Sequence, residues 1–327
     1  MKKVSIIIPV YNVAPYIEDC LRSVIRQTYD GEIECLLVDD CGQDKSMALA
    51  SDLIEAYDGH VQFRILRHNR NMGLSAARNT GIRQASGDYV YFLDSDDEII
   101  PDCIRMLAAP LENAEYDFVI GGYSVAGMEH KVPKLSLPDG SSLYGKNIIK
   151  AYYERKWYMM ACGKLCNLDF LRHNDLMMKE GLLHEDELWS FQLACLAKSM
   201  YVVNRESYIY KIREGSITMN SRTVEKKIIA LEDIVRYMTD FILDNGIREE
   251  YASLKIFNTL NVLWKDTRNE PGGLQAAQRG RMELSRIPYL WRVRSCLTGL
   301  RKFIRNAYTL LPASFYGTYN RIIASRR

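Results

Sequence analysis

Acidic side chains cluster in this chain where apolar runs end. Asp39 and Asp40 follow the run IECLLV, and Asp94, Asp96 and Asp97 follow DYVYFL (Asp88–Leu93). Crowded carboxylates repel one another, so arginine, lysine or a hard cation must offset them. The spacing of Asp94, Asp96 and Asp97 suits Mg²⁺ or Mn²⁺ held by one or two carboxylates plus diphosphate oxygens. Such a cation would neutralise a diphosphate leaving group. The plainer alternative is a polar turn that caps the next helix. A further acidic set, Glu185-Asp186-Glu187, lies in the second half. Repulsion between Glu185 and Asp186 would raise one of their pKa values. The alternative is that Asp186 only caps the helix that follows. Gly73 precedes a helix bearing Arg78, where backbone amides and a guanidinium could meet phosphate. Equally, they could be a capping glycine and a surface arginine.

The surrounding pattern explains how these residues could be positioned. Val4–Val10, Ile33–Asp39, Val61–Leu66, Asp88–Leu93 and Asp117–Ile120 read as strands. Between them, Pro15–Gln27, a helix from Asp44, Gly73–Ala85 and Asp102–Leu111 carry helical periodicity. Alternating strands and helices with continuously apolar strands predict a mostly parallel sheet covered on both faces. In such sheets ligands bind beyond the carboxyl ends of the strands. Gly127–Ser142 reads as a polar excursion. Gly145–Tyr158 and Asp186–Ala197 then read as helices, and Met200–Val203 and Ser207–Lys211 as short strands. Thr223–Leu243, Arg248–Asp266 and Leu274–Ser285 complete a helical C-terminal extension.

Composition sets outer limits. The 327 residues are 47% hydrophobic and 26% charged, ordinary for a chain with a real core. No G-x-G-x-x-G follows the first strand and no P-loop occurs, which disfavours dinucleotide oxidoreductases and P-loop NTPases. No secretory signal and no apolar run of membrane-spanning length is visible. The eight cysteines are scattered, mostly among apolar neighbours, as reduced core cysteines are. A cytoplasmic protein is expected. The formal charge is only +2, yet residues 279–327 carry eleven Lys/Arg against the single acid Glu283.

Four segments in fixed order carry a resemblance. They are PVYN at 9–12, VDD at 38–40, N-x-G-x-x-x-A-R-N-x-G from Asn71 to Gly81, and FLDSDD at 92–97. Together they resemble the family-2 glycosyltransferases of the GT-A fold, most densely over residues 1–125 and more loosely to about 218. The resemblance implies that Pro9, Tyr11 and Asn12 line a base and ribose pocket, with core packing the alternative for Tyr11. It implies that Asp39 accepts a hydrogen bond from the base, which suits uracil and hence a UDP-sugar. Gly73 and Arg78 would lie near the ribose and diphosphate. Asp94 and Asp96 would form the family's D-x-D, with Asp96 the foremost ligand of Mn²⁺ or Mg²⁺ and Asp97 its neighbour. Glu180–Trp189 resembles the segment that carries the general base, with Asp186 matching best and Glu185 its rival. Cys162-Gly163-Lys164-Leu165 resembles the stretch preceding that base. Tyr208–Ser216, with Arg213, resembles a loop over the donor phosphates.

The expected architecture is a GT-A-like, Rossmann-like α/β domain over 1–215, followed by a helical region over 216–327. Residues 1–125 would hold the nucleotide-sugar and 126–215 the acceptor side. The expected reaction is inverting, metal-dependent transfer from a UDP-sugar to a hydroxyl acceptor, a glycan or lipid-linked glycan in cell-surface polysaccharide synthesis. No nucleic acid is expected as a partner. In the tail, Leu297, Leu300, Phe303, Ile304, Ala307, Leu310 and Leu311 fall at helical spacing beside Arg301, Lys302 and Arg305. A basic amphipathic helix can lie on an anionic membrane, here the inner face. It can equally pack on the protein. Two rival functions are a nucleotidyltransferase and an inactive nucleotide- or glycan-binding module. The first wants a basic, glycine-rich loop where Tyr11-Asn12-Val13-Ala14 stands. The second is disfavoured by Asp39, Asp94, Asp96 and Asp186 all being present.

Overall fold

A run such as VSIIIPV is apolar at every position, so a strand made from it must be covered on both faces. β1 (Val4–Val10) is indeed buried along its whole length. β2 (Ile33–Asp39) is buried up to its last residue, and β4 (Tyr89–Phe92) throughout. β3 (Val61–Arg67) buries only Val61 fully, its other residues being half-buried or exposed, as on an edge strand. These four strands are parallel in the order β3-β2-β1-β4. The computed structural model describes residues 1–127, 133–212, 224–267, 270 and 272–287. The chain divides into two compact units, Met1–Ser216 and Ile217–Arg327.

Beyond β4 the sheet turns mixed. β8 (Lys164–Asn167) runs antiparallel to both β4 and β6 (Phe118–Gly127). β6 is parallel to β9 (Ser199–Ile212), which also takes β5 (Glu98–Ile99) and β7 (Ser142–Tyr144) as antiparallel partners. The two short strands expected within 200–211 are therefore one. Its pairing with β6 shifts register around Gly121–Tyr123. A side chain at Gly122 would meet the Arg205 carbonyl at 2.9 Å, so glycine lets the two backbones close there.

Helices α1 (Ile17–Ile25), α2 (Ser46–Glu55) and α3 (Leu74–Gln84) follow β1, β2 and β3. α3 is built from small residues and lies close to the sheet. A Cβ added at Gly81 would sit 2.4 Å from Ile7 Cγ2. That close approach also buries Arg78 and Asn79, at 3% and 2% exposure. α4 (Cys103–Ala108), α5 (Lys146–Tyr153), α6 (Leu168–His173) and α7 (Glu185–Leu196) complete the first unit. The expected helix over 145–158 ends at Tyr153. Trp157 and Tyr158 instead enter the core beside Phe118 and Tyr123.

In the second unit α8 (Val224–Asp244), α9 (Glu250–Thr267) and α10 (Gly273–Ser285) pack on one another. A Cβ at Gly280 would meet Leu260 at 2.7 Å and Val235 at 3.8 Å, so this glycine marks where the three helices meet. No described helix is long and apolar enough to cross a membrane. The basic tail from Pro288 onward lies outside the described residues. Gly81→Val should therefore cost about 1–3 kcal/mol by overpacking α3 against β1. Chemical denaturation checks this, and an unchanged midpoint would show that α3 does not sit so close.

Candidate active site

The sheet order places β1 beside β2 on one side and β4 on the other. β4 pairs with β1 only as far as Ile7, while β2 continues to Val10. Pro9, buried, lies beyond the last β4 partner, so the N–H it lacks would have had no β4 carbonyl to donate to. Here, at the carboxyl ends of the strands, an open α/β sheet leaves a crevice. Tyr11 follows at 44% exposure, which removes the core-packing alternative. Asn12, with φ 52°, accepts the Gln43 amide on its side-chain oxygen at 2.8 Å. Asp39, at the end of β2, accepts the Cys41 amide at 3.0 Å and stands 3.9 Å from Arg67 Nε. The strand ends that carry Pro9, Tyr11, Asn12 and Asp39 are thus neighbours.

Asp40 has a role that sequence reasoning missed. Its carboxylate accepts the amides of Met72 and Gly73, both at 2.8 Å, and lies 2.7 Å from His68 Nδ1. It fixes the turn that enters α3. Gly73 there has φ 90° with open space where a Cβ would be, a conformation that favours glycine and leaves the helix start uncovered. Only the VDD pair hinted at Asp40, and nothing local distinguishes its part from that of Asp39.

One turn into α3, the buried Arg78 donates from Nη2 to Asp94 Oδ1 at 2.6 Å and from Nη1 to Glu185 Oε1 at 2.9 Å. Burial opposes its charge, but Asp94 and Glu185 outweigh that and raise its pKa. The guanidinium is therefore engaged by two carboxylates inside the protein. The neighbouring Asn79 clasps Met178, donating to its carbonyl at 2.9 Å and accepting its amide at 2.8 Å. Consecutive residues of α3 thereby tie the end of β4 to the segment that leads into α7.

The three acids after β4 divide. Both Asp97 oxygens accept hydrogen bonds within the chain, from the Tyr208 hydroxyl at 2.5 Å and the Lys211 amide at 2.7 Å. Burial, then the charges of Asp94 and Asp96, push its carboxyl up to about 8. Asp97, expected among the metal ligands, is thus a buried brace between the β4–β5 turn and β9. Asp94 and Asp96 are half-buried. No set of three or more His, Cys, Asp or Glu among the described residues could enclose an ion unaided. Two carboxylates whose field lifts a neighbour's pKa suit Mg²⁺ or Mn²⁺ completed by diphosphate oxygens and water. They do not suit a closed, protein-only site.

Glu185 and Asp186 open α7. His184, in the left-handed region at φ 61°, is the N-cap residue and makes no side-chain cap bond. Asp186 lies inside the first turn and is not the cap. Glu185 is committed to Arg78. No hydrogen bond or ion pair among the described residues engages the Asp186 carboxylate. Burial, then repulsion from Glu185, raises it to about 7, a value suited to a proton acceptor near neutrality. Arg213 lies outside the described residues.

Replacing Arg78 would strand two carboxylates. Arg78→Met should cost about 3–5 kcal/mol at pH 8. Without their cation two carboxylate charges are left unpaired inside the protein, and neutralising carboxylates in acid relieves that penalty. Chemical denaturation at pH 8 and at about pH 5 should show the deficit shrinking in acid. An equal deficit at both would contradict the pairing.

Comparisons with known proteins bear on the family and the fold. The family model described as Glycosyl transferase family 2 matches residues 5–173. Glycosyltransferase GlyA of Streptococcus pneumoniae is 33% identical over 227 residues, 66% of this chain. The chain spans only 31% of GlyA. The putative glycosyltransferase EpsH of Bacillus subtilis is 32% identical over 258 residues, 76% of this chain and 71% of EpsH. The solved structure of Staphylococcus aureus TarS 1-349 in complex with UDP-GlcNAc matches at TM-score 0.78 and 20% identity. It covers 99% of this chain and 92% of that one, and the likeness shows the shared GT-A fold. With these matches added to the strand-end carboxylates, the chain belongs to glycosyltransferase family 2.

Proposed function

We propose that this protein transfers a sugar from a UDP-sugar to an acceptor hydroxyl with inversion at the anomeric carbon, and that Asp186 is the general base. The observation that carries the reading is the Asp94–Arg78–Glu185 bridge. It ties an unpaired carboxylate of raised pKa, at the start of α7, to the acidic end of β4. The Asp186 carboxylate takes the acceptor proton while the acceptor oxygen attacks the anomeric carbon. The bond from that carbon to the diphosphate breaks, and its electron pair leaves with the phosphate oxygen. Asp94 and Asp96 would hold Mn²⁺ or Mg²⁺, which supplies charge neutralisation at the leaving group.

Pro9, Tyr11, Asn12 and Asp39 would line the nucleotide pocket, with Gly73 opening the helix beside it. The complex of TarS with UDP-GlcNAc supports UDP-GlcNAc as the first donor to test. Residues 1–215 would form the transferase domain and 216–327 the helical region. The acceptor would be a glycan or lipid-linked glycan of a cell-surface polysaccharide. Residues 279–327, with eleven cations and one acid, would rest on an anionic membrane at its cytoplasmic face.

UDP release from UDP-GlcNAc and a panel of other UDP-sugars, with and without Mn²⁺, tests the reaction. Asp186→Asn should lower turnover by about 10²–10⁴-fold and leave UDP binding by calorimetry intact. Asp96→Asn should weaken Mn²⁺-dependent UDP binding instead. Because the base works deprotonated, the wild-type rate should fall as pH drops through about 7. UDP binding without turnover across the panel would favour the inactive-module reading.

A further inference from the structure

Behind the turn that enters α3 lies a buried polar relay. Asp40 Oδ1 stands 2.7 Å from His68 Nδ1, and His68 Nε2 stands 2.9 Å from Thr80 Oγ1. The Asp40 and His68 side chains are only 4% and 7% exposed. A carboxylate oxygen only accepts, so Nδ1 carries the hydrogen of the first bond. Both ring nitrogens are engaged, which fixes the ring in rotation as well as in position. Burying a carboxylate with an imidazole is costly, and an apolar pair of similar volume is often as stable. The relay therefore calls for a reason beyond packing.

That reason lies in what the relay holds. Asp40 Oδ1 also accepts the Met72 amide and Oδ2 the Gly73 amide, both at 2.8 Å. Both feet of the turn 68–73 thus rest on one carboxylate, while residues 69–72 between them are exposed. The same turn is tied to the end of β2, because the His68 amide donates to the Asp39 carbonyl at 2.9 Å. On the other side the Asp40 amide donates to the carbonyl of Val10, the last residue of β1, at 3.0 Å. Thr80 adds a further hold from within α3. The ends of β1, β2 and β3 and the start of α3 are thereby fastened around Asp39 and Asp40. Of the three bonds to the Asp40 carboxylate, two come from main-chain amides and the third from the His68 ring. Without the ring, the buried carboxylate loses the contact that orients it against the end of β3.

We propose that His68 is a positioning residue for nucleotide binding: by holding Asp40 against the Met72 and Gly73 amides, it keeps the exposed turn 69–72 in place beside Asp39. The proposal deepens the reading of Asp39 as part of the nucleotide pocket and rests on it. Its physical content is preorganisation. A turn that is already ordered loses little freedom when a ligand settles against it, whereas a loosened turn must first be ordered, which weakens binding. Met72, at 45% exposure, is a large apolar side chain left uncovered on this turn, as Tyr11 is at 44% on the loop after β1. β2 lies between β1 and β3, so the two loops flank the strand end that carries Asp39. Uncovered apolar side chains on either side of an acid suit a group that is flat, apolar on its faces and hydrogen-bonding at its edge, as a nucleobase is.

Calorimetric titration of the full chain with UDP in the presence of Mn²⁺ tests this. His68→Leu removes both ring contacts. His68→Asn places an amide N–H where Nδ1 stands and keeps the bond to Asp40. His68→Gln reaches toward Thr80 instead and gives up Asp40, which provides a second, polar variant if the leucine one does not fold. UDP should bind about tenfold more weakly, or worse, to the Leu and Gln variants and within about threefold of wild type to the Asn variant. In the UDP-release assay the Leu and Gln variants should raise KM for UDP-GlcNAc and leave kcat near the wild-type value, a split that a general loss of folded protein does not give. Wild-type UDP affinity in a folded Leu or Gln variant would overturn the proposal, as would an Asn variant as weak as the other two. If Asp39→Ala bound UDP as tightly as wild type, the pocket reading itself would fail, whatever the His68 variants do.

Discussion

A guanidinium buried between two carboxylates holds this site together. Arg78 is 3% exposed and reaches Asp94 at the end of β4 and Glu185 at the start of α7. Neither acid is close to it in sequence terms alone, since Glu185 lies 107 residues away. The Arg78 charge, buried without a partner, would be strongly unfavourable, and the pairing makes it tolerable. Because arginine presents a planar fork, it fixes direction as well as distance between the two carboxylates. The end of β4 and the start of α7 thereby become one object.

The charge pattern follows from that bridge. Pairing Glu185 with Arg78 leaves Asp186 the unpaired acid of the α7 start. Burial and then proximity to Glu185 raise its proton affinity without abolishing ionisation. On the other side, Asp97 is turned inward onto Tyr208 and the Lys211 amide, where it braces the β4–β5 turn against β9. Asp94, already joined to Arg78, and Asp96 stay half-buried beside that turn, where a diphosphate-bound cation would find two carboxylates. Adjacent acids in sequence thus serve separate ends: one pair in each cluster is split between a structural partner and an open function.

Much of this was legible in the residues, and for identifiable reasons. The strands β1, β2 and β4 are apolar throughout, so their burial and parallel pairing followed from pattern alone. The acids at their ends marked the crevice. Short elements escaped: β5 has two residues, β8 four and α6 six, too few for any periodicity to emerge. The continuity of β9 was hidden because its partner β6 absorbs a register shift at glycines. The roles of Arg78, Asp97 and Asp40 were invisible for another reason. Each depends on a partner fixed by the tertiary fold: Glu185 for Arg78, Tyr208 for Asp97, and Met72, Gly73 and His68 for Asp40. Sequence could nominate these side chains as charged and clustered, but it could not say which would face inward. Lys164 was noticed only as part of a stretch, since nothing local indicates that a lysine between two cysteines is fully buried.

Membership of glycosyltransferase family 2 and the GT-A fold set the frame, and the ionic bridge explains how this chain would bring a donor and a base to one reacting centre. A crystal structure with UDP-GlcNAc and Mn²⁺ tests that account most directly. It should show the cation and diphosphate at Asp94 and Asp96, Asp186 facing the anomeric carbon from the opposite side, and Arg78 still joining Asp94 to Glu185. A diphosphate seated away from Asp96, or Arg78 withdrawn from Glu185 to grip it, would contradict the account.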